Sequence, residues 1–249
     1  MLPGAEAYSA DGGEVGVVLC HGFTGSPQSL RPWAEALAAA GHSVRLPRLP
    51  GHGTTWQEMN GTSWQDWYGE VDGAFGELRA RCSAVVVAGL SMGGALALRL
   101  AEEHGGDVAG VVLVNPAVHL RDRRLLALPV LRRVVPAFPA IAGDIKKPGM
   151  IELAYDRTPL NAVATMLLLY RAVTADLARV DQPLLLLRSA VDHVVPATNS
   201  AAVLAGVSSR DVTEIVLEDS YHVATLDNDA ERIHKESLAF VGRVTGGGS

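Results

Sequence analysis

The segment Gly89-Leu90-Ser91-Met92-Gly93 carries the strongest chemical signal in the sequence. It lies between an apolar run, Ala84–Ala88, that indicates a buried strand and a helical pattern that starts at Met92. A Gly-x-Ser-x-Gly motif in this strand–turn–helix context presents its serine on a sharp, strained turn. Side chains two residues before and after the serine would collide there, and glycines remove them. The pattern predicts Ser91 as a nucleophile; a chance glycine-rich turn is the alternative.

A serine nucleophile needs a general base, and the base needs an acid that orients it. On this type of fold the partners follow in the order Ser, acid, His. Asp192 comes soon after the apolar run Leu184–Arg188, and His222 comes soon after Thr213–Leu217. Both lie beyond the carboxyl ends of predicted strands, where open α/β sheets place their sites, so we predict Asp192 as the acid and His222 as the base. Asp219 is a rival acid, but its closeness in sequence to His222 favours a role in shaping the turn.

The loop His21-Gly22-Phe23-Thr24-Gly25 follows the first long apolar run. On this fold such a loop supplies one backbone N–H to an oxyanion hole, and the residue after the nucleophile supplies the other. We therefore predict the amides of Phe23 and Met92 as the donors. Each donor of this kind typically stabilises the oxyanion by about 3–4 kcal/mol. The alternative is a plain turn formed at the two glycines.

Short Val- and Leu-rich runs alternate with helical patterns along the chain. The runs are nearly continuously apolar, which suits strands of a parallel sheet covered on both faces. The predicted strands are Val15–Cys20, Ser43–Pro47, Ala84–Leu90, Val111–Asn115, Leu184–Arg188 and Thr213–Leu217. The predicted helices are Gln28–Ala40, Trp64–Arg81 with a capping box from Ser63 and Asp66, Met92–Glu103, Asn161–Val180 and Asp229–Val241. The alternation predicts a doubly wound α/β fold with a mostly parallel central sheet flanked by helices.

The region after the fourth predicted strand breaks this alternation. A long loop inside a compact domain usually has a function. This loop is rich in Leu, Val and Pro, so it is too apolar for a solvent-exposed loop without a function. We predict one domain over residues 1–245, with the core at 1–118 and 181–245. A small lid or cap is inserted at about 119–160, and a helix at 161–180 returns to the core. Residues 246–249 are predicted to form a flexible tail. An insertion without a lid function is the alternative.

The composition narrows the classes of function. The chain has 249 residues, of which 48% are hydrophobic, and a formal net charge of −6, so it lacks the basic surface that nucleic-acid binding requires. The two cysteines, Cys20 and Cys82, are too few for a disulfide scaffold, and no cluster has metal-ligand spacing. The N-terminal residues lack the basic head and apolar stretch of a signal peptide, so we expect a cytoplasmic protein.

Five segments resemble, in the same order, those of the α/β-hydrolases, and more narrowly those of bacterial monoacylglycerol lipases and their small carboxylesterase relatives. They are residues 21–25, 46–53, 89–94, 192–196 and 220–227. The resemblance implies an α/β-hydrolase fold and a catalytic triad of Ser91, Asp192 and His222. It also implies an oxyanion hole at the amides of Phe23 and Met92, and no cofactor.

The resemblance also implies where a substrate would bind. The segment Glu152-Leu153-Ala154-Tyr155 is similar to part of the family's lid, which implies that Glu152 lies near the polar end of the pocket; an exposed helix carboxylate is the alternative. Ile141 is a candidate wall residue for the acyl chain. The implied function is cleavage of single-chain lipid esters, above all monoacylglycerol to glycerol and fatty acid, through an acyl-enzyme on Ser91. The apolar lid is expected to touch lipid interfaces transiently.

Several alternatives stay open on the sequence alone. They are a short-chain carboxylesterase, a thioesterase or acyltransferase on the same triad, and a non-catalytic ligand receptor. Fold analogy does not separate these functions, because one fold supports many chemistries. The length of the acyl chain and the oligomeric state are not indicated by any pattern.

Overall fold

The computed structural model describes residues 1–140 and 143–246. The strands found in them are β1 Tyr8–Ala10, β2 Val15–Cys20, β3 Ser43–Leu46, β4 Ala84–Leu90, β5 Val108–Val114, β6 Ala137–Pro139, β7 Arg157–Pro159, β8 Leu184–Ser189 and β9 Val212–Leu217. The α-helices are α1 Arg31–Ala39, α2 Trp56–Met59, α3 Trp64–Arg79, α4 Met92–His104, α5 Leu128–Leu131, α6 Leu160–Asp176, α7 Thr198–Gly206 and α8 Ala230–Val244. Short 3-10 helices lie at Pro27–Leu30, Gly105–Asp107, Arg123–Ala127, Leu177–Arg179 and Ala224–Leu226.

The central sheet has the strand order β1-β3-β2-β4-β5-β8-β9 within the described residues. All neighbouring strands run parallel except β1, which pairs antiparallel with β3 at the edge. This confirms the predicted mostly parallel sheet. The sequence did not predict β1, because three residues with only partial burial show no continuous apolar run.

Helices cover both faces of the sheet. Alternate residues of β4 point to opposite faces, so Val85 and Val87 belong to one apolar cluster and Val86 and Ala88 to the other. The first cluster includes apolar residues of α3, α4 and α6, and the second includes those of α1 and α8. A strand packed on both sides must be apolar at every position, which explains why these strands were visible in the sequence.

The helix boundaries also follow from local chemistry. Ser63 accepts the Asp66 N–H at 3.3 Å, and the Asp66 carboxylate accepts the Ser63 N–H at 2.7 Å, which forms the predicted capping box of α3. The predicted first helix is in fact two pieces, the 3-10 turn Pro27–Leu30 and then α1. The sequence missed α2, α5 and α7, which have four to nine residues and are too short for a clear helical period.

Residues 119–160, here called the inserted segment, connect β5 to α6. They contain the 3-10 helix Arg123–Ala127, α5 and the antiparallel pair β6–β7, none of which the sequence predicted. The following helix runs from Leu160 to Asp176, where a helix over 161–180 was expected, and it ends in a 3-10 turn. Residues Leu160–Arg179 have the length and composition of a membrane span, but many of their side chains pack in the core. Whether the inserted segment acts as a lid stays a prediction, and residues 247–249 of the predicted tail lie outside the described part of the chain.

The topology brings the predicted catalytic residues to one edge of the sheet. Strands β4, β5, β8 and β9 are consecutive neighbours and run parallel, so their carboxyl ends meet at the same edge. Ser91 follows β4, Asp192 follows β8 and His222 follows β9. Ser91 therefore lies in a loop next to those of Asp192 and His222, although these two residues come more than a hundred positions later in the chain.

Candidate active site

Ser91 occupies the sharp turn between β4 and α4. Its φ of 57° and ψ of −122° lie in a region of backbone conformation that residues other than glycine rarely adopt. A Cβ on Gly89 would overlap the carbonyl oxygen of Gly93 and lie 2.6 Å from the nitrogen of Gly94. A Cβ on Gly93 would overlap the carbonyl oxygen of Cys20 in β2. Both glycines of the motif are therefore required by backbone contacts, as the sequence pattern indicates.

Hydrogen bonds hold the backbone of this turn. The Ser91 N–H donates to the Val114 carbonyl at 3.0 Å, and the Ser91 carbonyl accepts the N–H groups of Gly94 at 2.9 Å and Ala117 at 3.0 Å. The peptide groups on both sides of Ser91 are thus held by three elements: β5, the first turn of α4, and the start of the loop after β5. A strained conformation persists only where the surroundings determine it in this way.

Asp192 and His222 form a buried hydrogen-bonded pair. Asp192 Oδ2 lies 2.8 Å from His222 Nδ1, and the two side chains are only 7% and 9% exposed. Asp192 Oδ1 accepts the N–H groups of Val194 at 2.8 Å and Val195 at 2.7 Å, so the carboxylate has a fixed orientation. With Nδ1 engaged by Asp192, Nε2 is the ring atom left for proton transfer. Ser91 and His222 line the same cavity.

The rival acid Asp219 lies elsewhere. Its carboxylate is exposed and pairs with Lys146 Nζ at 2.6 Å, and it makes no described contact with His222. Asp219 therefore is not the partner of His222, and its role in shaping the turn stays a prediction. His193, next to the acid in sequence, does not replace His222 as the partner of Asp192, because its Nδ1 lies 2.8 Å from Asp144 Oδ1 while Asp192 Oδ2 contacts His222.

Asn115, which sequence reasoning did not single out, links the loops of the site. It is buried, and its φ of 43° is positive. Its side-chain NH2 donates to Ser189 Oγ at 3.0 Å and to the His222 carbonyl at 2.8 Å, and its Oδ1 accepts the Ser189 N–H at 2.7 Å. One side chain thus ties the ends of β5 and β8 to the loop of the base. An Asn directly after an apolar strand, a type tolerant of positive φ, was the available signal.

The loop after β2 lies beside Ser91. The α-carbon of Gly22 approaches Ser91 so closely that an added Cβ would sit 3.4 Å from Ser91 Cβ, and Phe23 lines the same cavity as Ser91. Met92 is the first residue of α4, so its N–H has no acceptor within the helix. The geometry is compatible with the predicted oxyanion donors, Phe23 and Met92, and that role stays a prediction.

His21 fixes the shape of this loop. Its ring Nδ1 lies 3.0 Å from the Gly22 carbonyl, and its Nε2 accepts the Leu49 N–H at 3.1 Å, so the geometry assigns the proton to Nδ1. Full burial lowers the pKa of His21 to about 4, and the ring is therefore neutral at pH 7. The ring of His52 packs against it with a centroid separation of 5.1 Å, and burial lowers the pKa of His52 as well.

A cavity of about 650 Å³ opens from Ser91 towards the inserted segment. Its apolar wall includes Leu128, Leu131, Phe138, Leu160, Val163 and Met166. Glu152 also lines it, and its Oε2 accepts the Gly143 N–H at 3.1 Å. Burial raises the pKa of Glu152, an effect that the Gly143 N–H and the nearby His222 partly oppose. Ile141, the other predicted pocket residue, lies outside the described residues.

The part of the chain that the structure describes holds no group of three or more His, Cys, Asp or Glu side chains arranged to bind a metal ion. Cys20 and Cys82 are both buried and unpaired. Both thiols therefore lie in the core, where burial raises the pKa of the Cys20 thiol and keeps it protonated.

Comparison with known proteins agrees with the fold. A strained serine between strand and helix, with Asp and His on later strand ends, defines an α/β-hydrolase. A family model described as "Serine aminopeptidase, S33" matches residues 14–229, and the chain belongs to this hydrolase family. A thermostable monoacylglycerol lipase from Bacillus sp. (strain H-257) is 42% identical over 99% of this chain and 98% of its own. A carboxylesterase from Bacillus subtilis (strain 168) is 24% identical over 95% of this chain and 96% of its own.

Comparison with solved structures also indicates this fold. A structure from a study of two metagenome-derived lipolytic enzymes superposes with a TM-score of 0.94 at 42% identity, covering 97% of this chain and 99% of that one. The monoacylglycerol lipase of Paleococcus ferrophilus superposes with a TM-score of 0.78 at 22% identity, covering 96% and 99%. The second likeness supports the fold alone. Together these comparisons confirm the resemblance seen in the sequence.

Proposed function

We propose that this chain is a serine hydrolase that cleaves monoacylglycerols to glycerol and fatty acid through an acyl-enzyme on Ser91. The observation that carries the proposal is that Ser91 and His222, which pairs with Asp192, line one cavity with apolar walls. The 42% identical relative named as a monoacylglycerol lipase supports the class of substrate. The 24% identical carboxylesterase supports ester hydrolysis more broadly.

The proposed reaction has two halves. His222 Nε2 takes the hydroxyl proton as Ser91 Oγ attacks the ester carbon, and Asp192 stabilises the imidazolium. The Phe23 and Met92 N–H groups donate to the oxyanion that forms. The tetrahedral intermediate then expels the alcohol, which takes the proton from His222. In the second half His222 removes a proton from water as water attacks the acyl carbon. Ser91 Oγ then leaves and takes this proton back from His222, and the fatty acid is released.

The two kinds of wall suit the two ends of a monoacylglycerol. The acyl chain would lie along the apolar wall that the inserted segment supplies, where burial stabilises it by about 0.8 kcal/mol per CH2 group. Glycerol hydroxyls would donate to the Glu152 carboxylate, whose other oxygen is held by the Gly143 N–H. A volume of about 650 Å³ falls in the range for a small-molecule site, and the inserted segment would serve as its cap.

The outer surface of the inserted segment suits contact with lipid. Leu126, Val130 and Val134 are 86%, 67% and 73% exposed, and the side chains of Arg132 and Arg133 are exposed beside them. Apolar side chains flanked by basic ones are typical of surfaces that rest on a lipid layer. We propose that this surface contacts the substrate-bearing interface transiently. The cytoplasmic location expected from the sequence stays a prediction.

A hydrolysis panel tests the proposal. Wild type and Ser91→Ala would be assayed on monoacylglycerols of several chain lengths, diacylglycerol, triacylglycerol, p-nitrophenyl esters, an acyl thioester and a peptide amide. The proposal predicts the highest kcat/KM on monoacylglycerols and no turnover by the variant. Turnover confined to short activated esters would instead identify a short-chain carboxylesterase. Preferred cleavage of the thioester or amide would contradict the proposed substrate.

A further inference from the structure

Asp144, which lies within the inserted segment, contacts both loops that carry the acid and the base. Its Oδ2 accepts the His222 N–H at 3.1 Å and the His193 N–H at 3.2 Å. Its Oδ1 lies 2.8 Å from His193 Nδ1, and its backbone carbonyl accepts the Val223 N–H at 3.1 Å. The carboxylate is only 12% exposed. One side chain therefore joins the base, and the neighbour of the acid, to the inserted segment.

We propose that Asp144 is a positioning residue that sets the separation of Asp192 and His222. His193 follows Asp192 directly, so its N–H moves with the acid, and the His222 N–H moves with the base. A single oxygen that accepts both N–H groups fixes one backbone relative to the other. The inference rests on the proposed function of the Asp192–His222 pair, because only a catalytic pair requires this precision. A displacement of about 1 Å at such a site can cost about a hundredfold in rate.

A second carboxylate supports the same arrangement. Asp227 accepts the backbone N–H groups of Lys146 at 2.7 Å and Lys147 at 2.8 Å, and also that of Tyr221 at 2.9 Å. Residues 144–147, here called the strap, are thus bonded to the base loop at His222, Val223 and Asp227. The strap and the base loop form one unit.

Two substitutions separate geometry from charge at this position. Asp144→Asn removes the charge but retains one oxygen that can accept the two backbone N–H groups, while its NH2 can donate to a neutral His193 Nδ1. Asp144→Glu keeps the charge but moves the carboxylate by one methylene. A positioning role predicts that Ser91 stays reactive in the Asn variant and loses reactivity in the Glu variant. An electrostatic role predicts the reverse.

The test is the rate at which a fluorophosphonate labels Ser91, because this rate reports activation of the nucleophile without depending on the natural ester. We expect Asp144→Glu and Asp144→Ala to slow labelling at least tenfold and Asp144→Asn to stay within about threefold of wild type. The matched control is Asp156→Ala, which removes an exposed aspartate of the same segment whose side chain makes no described hydrogen bond and should leave the rate unchanged. Thermal unfolding of each variant shows whether it is folded.

The outcomes separate this inference from the proposed function. A wild-type chain whose Ser91 is not labelled would overturn the proposed triad and the inference with it. Fast labelling of wild type together with equally fast labelling of Asp144→Glu would overturn the inference alone. An Asn variant as slow as the Glu variant would also overturn it, because charge as well as geometry would then be needed. The Glu variant keeps a carboxylate, so the test stands even where the Ala variant fails to fold.

Discussion

Replacing Gly93 with alanine should damage both the fold and the reactivity of Ser91. The added Cβ would overlap the carbonyl oxygen of Cys20, lie 2.5 Å from the carbonyl carbon of that residue and lie 2.7 Å from the carbonyl oxygen of His21. All three atoms belong to backbone, and β2 is held in the sheet by β3 and β4. No side chain can rotate to relieve the overlap. The start of α4 must therefore move away from β2 and the loop that follows it.

The size of the effect follows from this geometry. Overpacking in cores, where side chains can adjust, costs about 1–3 kcal/mol. An overlap with fixed backbone should reach the top of that range, about 3 kcal/mol or more. For a chain of this length each 1 kcal/mol lowers Tm by about 2–4 °C, so we expect a fall of about 6–12 °C. The same movement displaces Ser91, and a displacement of about 1 Å can cost a hundredfold in rate.

Gly73→Ala is the matched control for this substitution. Gly73 lies within α3, and a Cβ added there would meet nothing within 4 Å. Alanine is favoured over glycine inside helices by about 1 kcal/mol, so this variant should unfold a few degrees higher than wild type and label at the wild-type rate. Thermal unfolding by circular dichroism and fluorophosphonate labelling measure both effects. A Gly93→Ala protein with wild-type Tm and labelling would refute the reasoning.

Three further predictions concern the nucleophile, the polar end of the pocket and the buried histidines. Ser91→Ala should abolish hydrolysis of all esters while Tm, followed by circular dichroism, stays within about 2 °C of wild type; turnover that survives would place the nucleophile elsewhere. Glu152→Leu should raise KM for monoacylglycerol about tenfold, since a hydrogen bond to a charged group contributes about 1.5–3 kcal/mol, and should leave KM for p-nitrophenyl butyrate unchanged. An equal rise for both substrates in steady-state assays would argue against a glycerol contact. The free energy of unfolding should fall as the pH drops from about 6.5 to 4, because the pKa of His21 is lowered to about 4 and that of His52 is also lowered, so the unfolded chain takes up protons first. Urea titrations at successive pH values should show the free energy of unfolding falling by at most about 1.4 kcal/mol per pH unit for each histidine. A free energy of unfolding that does not change over this interval would contradict the burial of two neutral rings.

The features that the sequence predicted well are those encoded by neighbours in the chain. The Ser91 turn requires glycines two residues away on each side, so the pattern that reveals it lies within five consecutive residues. Strands such as β4 are packed on both faces, and continuous apolar runs reveal them. The order of acid and base followed from the strands that precede Asp192 and His222, because parallel strands end at a common edge.

The features that the sequence did not predict depend on contacts between distant segments. Neither Asn115, at the end of a predicted strand, nor Asp144, in the inserted segment, is near His222 in the chain, and only the folded structure brings both of them to it. The strands β1, β6 and β7 have three residues each, which is too short for any period to appear. The form of the inserted segment was equally hidden, because its local patterns are brief and its position is fixed by contacts with the core.

The most direct test of the account is to map a fluorophosphonate adduct while following the hydrolysis of monoacylglycerol. The protein would be treated with increasing amounts of the reagent, and peptide mass spectrometry would locate the modified residue. The account predicts one adduct per chain, on Ser91, with hydrolysis falling in direct proportion to the modified fraction. An adduct on another residue, or hydrolysis that persists when Ser91 is fully modified, would contradict it.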